Sequence, residues 1–159
     1  MADMKAVVTD LDETIASVAK KFSAISHEEF AARPKPDKWS RKEVLGHLID
    51  SAHSNLRRFV CGQYEKTPPH IIYEQEFWVK ANNYHNESPE ALISLWVLMN
   101  RRIAAVLTAM PESNHDKLCD TGRGEQNLHP IHWLAADYVK HLKHHVNQII
   151  PGSYAITYP

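Results

Sequence analysis

The sequence predicts an all-α fold, a four-helix bundle forming one domain over residues 1–159, on three observations. Four long segments place apolar residues at three-and-four spacing, their ends carry helix-start and helix-stop residues, and no segment shows a convincing strand alternation. A chain of this length buries roughly two thirds of its unfolded surface, which suffices for a core without disulfide or metal staples.

The first helix is read from Met4, Val7, Val8, Leu11, Ile15, Val18 and Phe22, an apolar stripe at helical period. The prolines of Ala31-Ala32-Arg33-Pro34-Lys35-Pro36 then break regular structure, because each biases the residue before it away from the helical region. Ser40-Arg41-Lys42-Glu43 is a capping box that starts the second helix, with Trp39 and Val44 where a hydrophobic staple would stand. Its apolar arc takes in Val44, Leu45, Leu48, Ala52, Leu56 and Phe59 and fades near Cys61-Gly62. His47 lies at the margin of that arc, on one strip with Ser51, Ser54 and Arg58.

Residues 63–86 resist assignment: Pro68-Pro69 forces a bend, and Glu74 to Tyr84 suits either a short helix or an ordered loop. Ser88-Pro89-Glu90 opens the third helix with a cap, a proline at the first position and an acid in the first turn. That helix is apolar almost all round as far as Met110, so burial on two sides is expected, by the bundle and by a second subunit in a homodimer. Asn114 to Asn127 reads as a loop, and the fourth helix runs from about His129-Pro130 to Ile150, where Pro151-Gly152 stops it.

Hydrophobic residues make up 43% of the chain and charged residues 23%, the balance of a globular protein, and the formal net charge of −1 gives no electrostatic reason to bind nucleic acid or a membrane surface. The first residues carry no apolar signal region and no apolar run of about 18 residues is evident, so a cytoplasmic protein is expected. Cys61 and Cys119 have no metal or redox spacing and read as reduced thiols.

Chemistry concentrates in the histidines. His141 and His145 are four residues apart on the fourth helix, so both rings can turn toward one ion, and His47 comes from the same edge of a core-facing stripe on another helix. Three imidazoles would hold a divalent ion, zinc by preference or nickel, and leave a fourth position for water or substrate. With no carboxylate among the ligands the ion keeps its full charge, which favours an anion such as a thiolate or hydroxide. The catalytic group is then the thiolate or water at the metal. Asp50, Asp137, His144 and Gln148 are candidates to support the ligand rings, whereas His132 points away from His141 on its wheel.

Trp39-Ser40 before a helix, then Glu43-Val44-Leu45-Gly46-His47-Leu48-Ile49-Asp50, and later His141-x-x-His144-His145-x-x-Gln148-Ile149, together resemble the DinB/YfiT-like superfamily. The resemblance implies an up-down-down-up four-helix bundle, often dimeric, with a divalent metal on three histidines, which by position are His47, His141 and His145. It further implies a small-molecule substrate. Members with known activity include S-transferases that use bacillithiol, mycothiol or glutathione, some members are labelled metal-dependent hydrolases, and many have no known activity. Asn147 departs from the glycine that many DinB members carry before Gln148, and no thiol-binding motif is recognisable. Three functions follow as expectations: a thiol-dependent S-transferase, a hydrolase using hydroxide at the metal, or a metal-binding stress module without turnover.

Overall fold

The computed structural model describes residues 2–159. Six helices appear in chain order: α1 (Met4–Ser23), α2 (His27–Ala31), α3 (Arg41–Tyr64), α4 (Gln75–Ala81), α5 (Pro89–Ala109) and α6 (Ile131–Ile149). The long ones are the four that the periodicity predicts, shifted by a residue or two at their ends. Their starts are fixed locally. Ser40 Oγ accepts from the Glu43 amide at 3.2 Å while Glu43 reaches back to the Ser40 amide at 2.8 Å, and Ser88 Oγ accepts from the Ala91 amide at 3.1 Å.

In the bundle α3 and α1 each pack against both α5 and α6, so α1 lies across the diagonal from α3. Phe22, Phe30, Phe59, Trp96 and Leu142 are fully buried at the centre, with the Phe22 ring 5.4 Å from Trp96 and tilted against it. This arrangement sets the polar margin of α3 against the polar margin of α6, which is what the candidate site requires.

Several expectations change. Residues 114–127 are not all loop: Leu118–Asp120 (β1) pairs antiparallel with Leu128–Pro130 (β2), Cys119 opposite His129. Asp120 Oδ1 accepts from the amides of Gly122 and Asn127, both at 2.9 Å, and so closes the turn from inside. Residues 63–86 hold the short helix α4 and a turn of 3₁₀ helix at Tyr84–Asn86. α5 contains an 18-residue window of mean hydropathy 1.4, long and apolar enough by composition to cross a membrane. Its Trp96, Ile103 and Leu107 are nevertheless inside the bundle, as in a core helix, while Leu95 and Leu98 stay exposed, so a single chain covers one side only. Cys61 and Cys119 are free thiols.

Candidate metal centre

The histidine strips of α3 and α6 meet. Nε2 of His141 lies 3.0 Å from Nε2 of His145 and 3.4 Å from Nε2 of His47, and the three ligand atoms all fall within 4.8 Å of one another. Nitrogens bound tetrahedrally at about 2.0–2.1 Å from one ion stand about 3.3–3.4 Å apart, so the rings are close to a ligand geometry before any ion is added. No Asp, Glu or Cys joins them among the described residues.

The outer nitrogens explain why these faces turn inward. Nδ1 of His145 is 2.8 Å from Gln148 Oε1; an amide oxygen only accepts, so Nδ1 carries the hydrogen and Nε2 presents its lone pair to the centre. Nδ1 of His141 is 3.5 Å from Ser51 Oγ. Without an ion His141 can donate from Nε2 to His145. Were an ion held there, His141 would carry its proton on Nδ1, facing Ser51, leaving its Nε2, like that of His145, free to donate a lone pair. The donor set therefore fits a divalent metal.

Burial pushes His47 down to about 3 and His141 down to about 2, in each case with neighbouring histidines adding to the effect. His145 is also lowered by burial, opposed by its bond to Gln148. All three are thus neutral at pH 7, the form that ligates. The same shifts set the acid response of the metal-free protein. A histidine whose folded pKa lies below its unfolded value of about 6.5 binds fewer protons folded than unfolded, so stability is whole above that pH and falls as the pH drops beneath it. Asp50, raised by burial to about 6 despite its bond from Tyr84, acts in the opposite sense and offsets only part of the loss. Chelator-treated protein is expected to melt at progressively lower temperature between pH 7 and pH 5; a flat melting temperature over that interval would contradict the burial of the rings.

The residues expected to support the ligands divide. Gln148 holds His145, as above. His144 packs edge-on against His145, with ring centroids 5.0 Å apart. Asp137 accepts from the Tyr158 hydroxyl at 3.0 Å, and the Tyr158 ring stands 5.4 Å from that of His141, so Asp137 touches the centre only through a tyrosine. Asp50 does not support a histidine: its Oδ1 accepts from Tyr84 at 2.6 Å and from Asn82 at 3.4 Å, while Nδ1 of His47 has no partner. His132 is elsewhere, accepting the Ala2 amide on Nδ1.

Four contributors escaped the sequence reading. Trp39, read there as a staple, lies 5.1 Å from His47 between ring centroids, and Tyr73 lies 6.4 Å from it on the segment that resisted assignment. Tyr158 comes from an aperiodic segment that Asn147 clamps, donating to Tyr154 O and accepting from its amide, both at 2.9 Å. Ser51 was visible on the strip of His47 but had no assigned partner. On the far side of Trp39 and Gln148 from the histidines, a cavity of about 800 Å³ is lined by these two residues together with Lys38, Arg41 and Glu76, and by none of the three histidines.

Comparison with known proteins places this geometry among relatives. The family model of the DinB superfamily matches residues 10–149. A Bacillus licheniformis protein described as a "putative metal-dependent hydrolase" is 22% identical over 143 residues, covering 89% of this chain and 80% of its own. YfiT from Bacillus subtilis, described as a "probable metal-dependent hydrolase with an unusual four-helix bundle topology", superposes with a TM-score of 0.82 at 19% identity, over 92% of this chain and 83% of that one. A mycothiol-dependent maleylpyruvate isomerase, solved as its H52A mutant, gives 0.76 at 11% identity, covering 98% of this chain but 62% of the isomerase.

Proposed function

Because the chain belongs to the DinB superfamily, we propose that it is a metal-dependent enzyme in which His47, His141 and His145 hold one divalent cation, zinc or nickel, and a low-molecular-weight thiol attacks a small electrophilic substrate. The observation that carries this reading is the convergence of three neutral imidazole nitrogens at 3.0 and 3.4 Å with two outer nitrogens already facing side-chain partners. A cation held there would supply a Lewis-acid position that lowers the pKa of a thiol or a water.

The protein's own residues favour the thiol. Either nucleophile would lose its proton to the same Lewis acid, but a thiol starts several pKa units more acidic than water and so would reach its anion more completely; among the described residues no carboxylate joins the three histidines to favour water. Trp39 and Tyr73 wall the His47 side and Tyr158 the His141 side. Trp39, packed on His47, and Gln148, bonded to His145, also line the neighbouring cavity, so a small co-substrate held there would lie one side chain away from the three histidines. The isomerase described as mycothiol-dependent supports a thiol in this fold. The two relatives described as hydrolases support water as the nucleophile instead, and this is the second reading.

Metal-loaded protein mixed with a thiol and a chlorinated aromatic electrophile is expected to consume both, at a rate that vanishes without metal. Hydrolysis of esters or amides with no thiol dependence would establish the second reading and sink the first. Retention of metal with neither activity would point to a binding module.

A further inference from the structure

Below His141, toward the Tyr64 end of α3, runs a line of buried polar side chains that a bundle core does not need. Ser51, at 2% exposure, is one turn beyond His47, and Asn55, at 7%, one turn beyond Ser51. Each has its partner on the next rung. His141 Nδ1 meets Ser51 Oγ at 3.5 Å; Asn55 Nδ2 donates to Ser51 Oγ at 3.4 Å and to Ser51 O at 2.9 Å; Arg58 donates to Asn55 Oδ1 at 3.2 Å. The far side of the Arg58 guanidinium donates twice to the carbonyl of Ile71, at 3.1 and 2.7 Å. Among the described residues Arg58 has no carboxylate ion pair, so its half-buried guanidinium is partnered within the protein by this carbonyl and this amide.

We propose that Ser51, Asn55 and Arg58 form a hydrogen-bonded ladder that positions His141 for metal binding and ties the metal centre to the segment carrying Ile71 and Tyr73. The inference rests on the reading of the three histidines as a metal site. Ser51 acts on the ion through His141 and is a positioning residue. When His141 ligates through Nε2, its Nδ1 hydrogen needs an acceptor, and Ser51 Oγ is the group there. A serine hydroxyl rotates freely on its own, so the hydrogen bond from Asn55 limits where Oγ can sit, and Arg58 limits Asn55 in turn.

The three ligands are held differently. Gln148 holds His145 in one direct bond, the ladder holds His141, and His47, whose Nδ1 has no hydrogen-bond partner among the described residues, packs against the rings of Trp39 and Tyr73. Because Tyr73 follows Ile71 by two residues, the Arg58 grip on the Ile71 carbonyl also sets the wall beside His47. One chain of contacts thus governs one ligand directly and a second through its neighbour.

The test uses cobalt as a spectroscopic probe of the full-length chain, in Ser51→Ala, Ser51→Thr and Arg58→Gln. Ser51→Ala is expected to stay helical and bind one cobalt, with affinity roughly ten- to a hundredfold weaker and shifted visible bands. Ser51→Thr, which keeps the hydroxyl, is expected to restore both, and Arg58→Gln to move both in the direction of Ser51→Ala. Wild-type affinity and bands in Ser51→Ala would overturn the ladder. If the wild-type chain itself takes no cobalt, the metal reading fails, and the ladder is then decided in metal-free protein by the ¹⁵N resonance of His141 Nδ1. A shift in Ser51→Ala that Ser51→Thr reverses supports it; an unmoved resonance overturns it.

Discussion

His141→Ala is expected to lose bound divalent metal while the bundle stays folded. Nε2 of His141 lies 3.0 Å from that of His145 and 3.4 Å from that of His47, so its removal takes away the nitrogen nearest to both and leaves His47 and His145, their rings still in contact at 4.6 Å, as two donors where three are needed. Structural zinc sites bind with roughly 10–16 kcal/mol in total; shared over four positions, one ligand is worth about 3 kcal/mol, more than a hundredfold in affinity. The fold should not follow the metal. Trp96, Phe22, Phe59 and Leu142 form a core that includes none of the three ligands, so the metal adds only the stability that binding to the native state supplies. Elemental analysis after gel filtration and competition with a chelator check the first point, and circular dichroism checks the second. A variant that retains as much metal as the wild type would remove the basis of the proposed function, and collapse of helicity on adding chelator would recast the metal as structural.

The histidines were legible because they obey helical arithmetic. His141 and His145 are one turn apart, His47 flanks its apolar arc as they flank theirs, and helices pack by burying those arcs. Asp50 shows where that arithmetic stops. A wheel places it one turn from His47, but not the residue that arrives from another segment: Tyr84, from a stretch of two prolines and weak periodicity, takes its carboxylate. The hairpin of residues 118–130 was lost for a related reason. Its strands are three residues each, too short to display alternation, and Gly122 and Gly124 spoke for a loop. Tyr158 belongs to an extended segment with no period at all, and only Asn147, the departure from the family pattern, marks the place where that segment is fastened.

Gly46→Ala is the second substitution expected to have a large effect, and its sign follows from two opposed terms. In a helix interior alanine is better than glycine by about 1 kcal/mol. Here, however, a Cβ on residue 46 would stand 2.1 Å from Cδ2 of Tyr84 and 2.4 Å from its Cγ, within the ring itself. The ring has no easy retreat. Its hydroxyl is bound to Asp50 at 2.6 Å, Lys42 donates to the carbonyls of His85 and Glu87 at 2.9 and 2.7 Å, and Asn83 just before it holds a left-handed φ of 54°. Overpacking of this kind costs about 1–3 kcal/mol, and displacing Tyr84 adds the cost of a buried carboxyl left without its donor, about 1–3 kcal/mol more. The net is a loss of roughly 1–5 kcal/mol, or about 2–20 °C in melting temperature for a domain of this size. A double-mutant cycle isolates the cause: in a Tyr84→Ala background the clash is gone, and the same Gly46→Ala change should turn neutral or stabilising. An equal loss in both backgrounds would show that Tyr84 is not what requires glycine beside His47.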